Sequence, residues 1–135
     1  MKQEDLERLS SARNCPKGDL SGGDLSGSYL KGANLLGANL KDADFSSCDM
    51  ESANLEGADL YWANLGGTKL RFANLEGADL RKAHLEGASL KEGNLKKANL
   101  GAASLKGADL SFTEMEGAQL CNTTMPDGQI IYKDC

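Results

Sequence analysis

At 135 residues with a formal charge of −5 and a pI near 4.9, the chain has room for one domain and lacks the clustered basic surface that direct nucleic-acid binding needs. Aromatic residues are 5 % and there are just 2 prolines, which argues against a conventional mixed core and for repetition. No apolar run approaches the ~20 residues that span a bilayer, and Met1-Lys2-Gln3-Glu4-Asp5 is too charged to lead into a signal-peptide core, so a soluble chain without membrane insertion is expected.

The first predicted element is a short amphipathic helix over residues 3–13. Acids Glu4, Asp5 and Glu7 come early, Arg8 and Arg13 late, Leu6, Leu9 and Ala12 form a stripe, and Pro16 is the expected stop. Residues 1–17 therefore read as a capping helix and linker, since the terminal repeats of a solenoid need covering; a partner-binding helix is the alternative.

From 18 to 125 the chain repeats every five residues without an insertion. The central position, stepping from Leu20 to Met125, is Leu except at Phe45, Met50, Met115 and Met125, and the expectation is a column wholly inside a dry core. Two residues earlier the side chain is small: Ala, or Gly18, Gly23, Ser28, Cys48, Thr68, Gly93, Thr113 and Thr123. An alternation of two places both positions on one face of an extended segment, with the intervening Asn or Asp facing out, and the remaining two residues turn the chain. Period five fits neither a helix nor a plain strand, so each pentad combines a short strand with a bend, and stacked coils follow. Glycine at the second turn position alternates between rich corners (Gly27, Gly37, Gly57, Gly67) and poor ones (Asp42, Trp62, Phe72, Lys82). A ten-residue modulation needs an even number of sides, favouring a four-sided coil with two corner types, the glycine-rich ones requiring positive φ as in type II turns.

This A(D/N)LXX pattern resembles the pentapeptide-repeat proteins, and the flanks, Asn14-Cys15-Pro16 and Cys121-Asn122-Thr123-Thr124-Met125, resemble those of cyanobacterial members. The resemblance implies an all-β solenoid, a right-handed quadrilateral β-helix of about 5.5 coils. Some such relatives carry a second Cys three residues after the first; Gly18 stands there in this chain, so the resemblance brings no bridge to that end.

Residues 126–135 read as a C-terminal cap, with a turn at Pro126-Asp127-Gly128 and a last extended segment at Ile130-Ile131-Tyr132. The winding places Cys48 in an inward slot as a buried, inert thiol and separates Cys15 from Cys121 by the length of the stack. Cys121 and Cys135 are the pair left able to meet. Either they close a loop of about 15 residues, suiting periplasm or thylakoid lumen and an export signal removed from the chain, or they are two free thiols in a cytoplasmic protein.

Chemistry-bearing candidates are few. His84 occupies an outward slot without an arranged nucleophile, and reads as a solvent-facing substitution. Gly22-Gly23-Asp24-Leu25-Ser26-Gly27 lacks the recurrence of a calcium β-roll. Asn34, Asn54, Asn74 and Asn94 should stack as an outward ladder bonded to local backbone. Neither catalytic residue, cofactor nor metal ligand is expected. Tyr61, Trp62, Phe72 and Phe112 are the candidate partner contacts, Phe72 and Phe112 on one corner and Tyr61 and Trp62 across the solenoid. The expected function is a non-enzymatic structural or protein-interaction module, a monomer or weak homo-oligomer with an unidentified protein partner. The alternative is a DNA mimic resembling the gyrase-protecting members of the family. Lys31, Lys69, Arg71 and Lys91 set against Asp49, Glu51, Glu92 and Asp109 interrupt any negative rail, and the stack is only about 26 Å long.

Overall fold

The computed structural model describes all 135 residues. A helix α1, Gln3–Ala12, is followed by the coil stack and by two short antiparallel strands, β1 (Leu120–Thr124) and β2 (Ile130–Lys133). Parallel bridges join each outward residue to the one twenty positions on, from Asn14↔Asn34 to Ser104↔Thr124, so four pentads make one coil. The fold is a right-handed quadrilateral β-helix. Its ladder starts at Asn14, four residues before the regular repeat.

A pentad that carries Asn or Asp outward and has a coil on each side accounts for every backbone donor, as burial requires. Around Leu60, the Leu60 N–H reaches the Asp79 carbonyl at 2.8 Å and the Trp62 N–H the Arg81 carbonyl at 3.1 Å, both in the next coil. The Asn64 N–H returns to Ala43 in the preceding coil at 2.9 Å, and the Ala63 N–H closes the turn onto the Leu60 carbonyl at 2.9 Å. The fifth donor, the Tyr61 N–H, is taken by the Asp59 side chain at 3.1 Å. That last bond is why Asn or Asp fills the outward slot: an Asx acceptor serves the amide two residues on. The Asn34, Asn54, Asn74 and Asn94 ladder does this at each step; Asn34 Nδ2 also donates to Asn14 Oδ1 at 3.2 Å and Asn74 Nδ2 to Glu56 Oε2 at 3.4 Å, each in the preceding coil.

The corners correct one expectation. The second turn residue has positive φ at every corner, whether glycine (Gly77, 67°) or not (Trp62, 62°; Phe72, 61°; Lys82, 60°; Ala102, 58°). Glycine-rich and glycine-poor corners therefore share a positive φ at the second turn residue, and the ten-residue modulation does not mark which corners adopt it. At the poor corners the Cβ strain is borne by the coil-to-coil bonds that fix the turn.

Leu, Phe45, Met50 and the Ala column form one continuous core. Four of the polar residues in the small slot are satisfied by one device: Cys48 Sγ, Thr68 Oγ1, Thr113 Oγ1 and Thr123 Oγ1 each donate to the carbonyl 23 residues earlier, at 2.7–2.9 Å for the set. The core is not dry throughout, however. Leu110, Met115 and Met125 are only partly buried, because no coil lies beneath them.

The N-terminal lid works differently from a simple apolar stripe. Leu9 is fully buried, but Ala12 is exposed, and Arg13 is already outside the helix, a left-handed C-cap whose N–H bonds the Leu9 carbonyl. The helix thus ends at Ala12, four residues before Pro16. Asp5 is buried rather than a solvent-facing charge at the helix start: its Oδ2 accepts the Asp19 N–H at 2.8 Å, while the Lys2 N–H donates to the Asp19 carbonyl at 2.9 Å. Together they replace the coil that would precede the first one.

At the other end Cys121 and Cys135 are joined by a disulfide, their Cα atoms 4.8 Å apart. Through it and the β1–β2 pairing the tail lies against the final coil. Cys15 and Cys48 are free and buried, and burial pushes the Cys48 thiol pKa up.

Candidate functional site

Each corner stacks dipeptides twenty residues apart, so the shape of a corner is written in one column of the sequence. In the column that holds Tyr61-Trp62, the next layers are Arg81-Lys82, Gly101-Ala102 and Cys121-Asn122. Gly101-Ala102 is the small layer between larger ones, and it leaves a notch of about 380 Å³. Tyr61, Arg81 and Lys82 wall one side. Gly101 and Ala102 form the floor, flanked by the amides of Asn99 and Gln119. The tail supplies the remaining wall through Asn122, Asp134 and the Cys121–Cys135 disulfide.

The wall is organised by cation and ring. Arg81 binds Asp79 with both edges of its fork, Nε–Oδ1 at 2.9 Å and Nη2–Oδ2 at 2.7 Å, and lies 5.3 Å from the Tyr61 ring centre. Those bonds hold the Asp79 carboxyl below the usual range. Lys82 instead rests over aromatic faces, 5.2 Å from the Trp62 ring centre and 5.8 Å from that of Tyr61, and makes no ion pair. Tyr61 and Trp62 meet edge to face at 6.3 Å. The result is a rim with a pre-oriented arginine and an ammonium that makes no ion pair, above a small-residue floor.

The four aromatics singled out from the sequence do not form one patch. Tyr61 and Trp62 belong to the notch corner; Phe72 and Phe112 lie on the opposite corner, Phe72 under Arg71 at 4.8 Å and Phe112 83 % exposed. Four other exposed features escaped sequence reading: Tyr29 against Arg13 at 5.2 Å, Ile130, Tyr132 at 70 % exposure, and the notch itself. Gly101-Ala102 at twenty-residue register below Arg81-Lys82 was the signal that could have found the notch.

His84 is exposed, its Nδ1 3.6 Å from Glu86 Oε1 and its ring 6.2 Å from Trp62, with no nucleophile beside it. No group of three His, Cys, Asp or Glu side chains is placed to hold a metal ion, and no helix is long and apolar enough to cross a membrane. Surface charge is interleaved: Lys41–Asp59, Arg71–Glu92, Arg81–Asp79 and Lys96–Glu114 pair at 2.7–3.6 Å.

Coils closed by backbone ladders, an inward Leu and Ala core and an outward Asx register define a solenoid scaffold whose variable parts are corner side chains. The profile of pentapeptide repeats matches residues 19–57, 58–96 and 94–125 in 8 copies, and the chain belongs to that family. Among solved structures it is similar to the pentapeptide repeat protein Rfr23 of the cyanobacterium Cyanothece 51142, at 31 % identity over 96 % of this chain and 98 % of that one, with a TM-score of 0.85. It is also similar to an Arabidopsis thaliana pentapeptide repeat protein of the thylakoid lumen (31 % identity, 87 % and 70 % covered, TM-score 0.49). A third is HetL of Nostoc, involved in heterocyst differentiation regulation (26 % identity, 87 % and 76 % covered, TM-score 0.39). No curated protein sequence gives a significant match.

Proposed function

We propose that this chain is a non-enzymatic scaffold that binds a protein partner at the Tyr61–Lys82 corner. The observation that carries the reading is the notch: a step in an otherwise regular corner, floored by Gly101-Ala102 and rimmed by the Tyr61 ring, Arg81 and Lys82, which makes no ion pair and lies over the Tyr61 and Trp62 rings. Rings and cations of this kind are the residue types on which binding energy concentrates. Interleaved ion pairs favour this reading over duplex mimicry, because a phosphate rail needs adjacent like charges.

Photo-crosslinking tests it. With benzoylphenylalanine in place of Tyr61, a partner from source-organism extract should be trapped. Capture through the same crosslinker should drop at least tenfold on adding Lys82→Ala and stay unchanged on adding Phe72→Ala, which alters the opposite corner. Equal loss with both variants, or no adduct dependent on the notch, would overturn the assignment.

A further inference from the structure

We propose that the Cys121–Cys135 disulfide is a reducible clasp on the notch: closed, it holds residues 126–135 as one wall; reduced, it lets that tail leave while the coils above remain wound. The functional consequence rests on the reading of the notch as a binding site, whereas the opening itself does not.

Three observations carry it. First, little else holds the tail. Strand β2 is four residues long, pairs only with β1, and buries no side chain fully; Ile131 alone of its residues packs against the core, while Ile130 and Tyr132 are exposed. A two-stranded pair of this size is marginal by itself, and segments with few buried apolar contacts open at low local cost. Second, the bond is reachable. Cys135 is exposed and Cys121 half-buried, whereas Cys15 and Cys48 are buried, so a solution reductant meets one target. Third, the coils above the last rung bond the tail only at Pro126, its first residue. The bonds that seat the last rung, Leu100 N–H to Gln119, Ala102 N–H to Cys121 and Leu105 N–H to Thr124, use residues that precede the tail, and only the Gly107 N–H, 2.9 Å from the Pro126 carbonyl, reaches it. Opening therefore removes the disulfide and Asp134 from the notch and leaves Tyr61, Arg81 and Lys82 in place.

The chemistry needs a dithiol reductant. Its thiolate attacks Cys135 Sγ, the S–S bond breaks, and the electron pair leaves on Cys121 Sγ, which takes up a proton. The second thiol then displaces Cys135 as a thiol. Two electrons and two protons pass to the protein, and the reductant departs as its own disulfide.

Hydrogen exchange by mass spectrometry on the full chain decides it, comparing the oxidised protein, the protein in dithiothreitol and the Cys135→Ser variant. Amides of residues 127–135 should exchange at least tenfold faster in the last two, with residues 34–100 unchanged. Persistent tail protection would show that packing, not the bond, holds it; faster exchange across residues 34–100 would make the bond a staple of the whole fold. Either result overturns the clasp. No partner enters this measurement, so its failure is separate from a failure to trap one at Tyr61.

Discussion

Gly77→Ala isolates the energetics of the corners. Gly77 has φ of +67°, and a Cβ built on it would meet nothing within 4 Å. No packing term enters, and only the backbone is perturbed. A Cβ in the left-handed region costs roughly 1–2 kcal/mol. Removing a glycine from the unfolded chain returns about 0.4–1 kcal/mol. The midpoints of the two ranges leave a net loss of about 0.5–1 kcal/mol. At ~2.1 cal/mol/K per residue the unfolding entropy of a chain this long makes that a fall in Tm of about 2–4 °C. Ala102→Gly, at φ of 58°, is the reciprocal change and should raise Tm by a similar amount. Thermal melts by circular dichroism, backed by urea titrations with unchanged m, provide the measurement. A loss of several kcal/mol at Gly77 with no gain at Ala102 would mean that the two kinds of corner are conformationally distinct and refute the shared positive φ.

Leu60→Asp or Ala58→Arg buries a charge among apolar neighbours and should abolish the folding transition, while Glu56→Ala on the surface should leave Tm within about 2 °C; comparable melts would mean the inward columns are misassigned. Asp5→Ala strips the acceptor from the Asp19 N–H and should cost about 1–3 kcal/mol, with Asp5→Asn recovering part of it; an unchanged urea midpoint would deny the lid its role. Hydrogen bonds from Ser21, Ser26 and Ser111 hold Asp19, Asp24 and Asp109 below the usual carboxylate range. Their contribution is complete above the ordinary aspartate value of about 4 and is lost as pH falls through the lowered folded values. Tm should thus drop on acidification below about pH 4, and drop less in Asp24→Asn/Asp109→Asn, whose slots keep a neutral acceptor; identical pH profiles would exclude these carboxylates. Finally, a supercoiling titration should show no gyrase inhibition, and potent inhibition below micromolar protein would favour the DNA-mimic alternative.

The parts legible in the sequence are those with a short, strict period. Leu at every fifth position and Ala two residues before it state which side chains point inward, and the twenty-residue echo of Ala53 to Leu60 in Ala73 to Leu80 states the number of sides. Each is a local consequence of alternation and turn geometry, repeated until it cannot be misread. At the N-terminal end of the period the reading was incomplete. Asp5 looked like a helix-dipole charge because its real partner, the Asp19 N–H, is fourteen residues away and orphaned only by the end of the stack.

The sequence by itself determined the inward columns, the four-sided winding, the outward Asx register and the separation of Tyr61-Trp62 from Phe72 and Phe112, because all follow from residue spacing within and between identical units. Only the tertiary structure decided what happens between units that are not identical. It showed that every corner adopts positive φ whatever its residue, since coil-to-coil hydrogen bonds override the local preference that glycine would otherwise dictate. It also showed that a thin layer at Gly101-Ala102, closed by a tail returning on β2, makes a notch: such a cavity is a relation among four layers and a chain end, and no single pentad contains it.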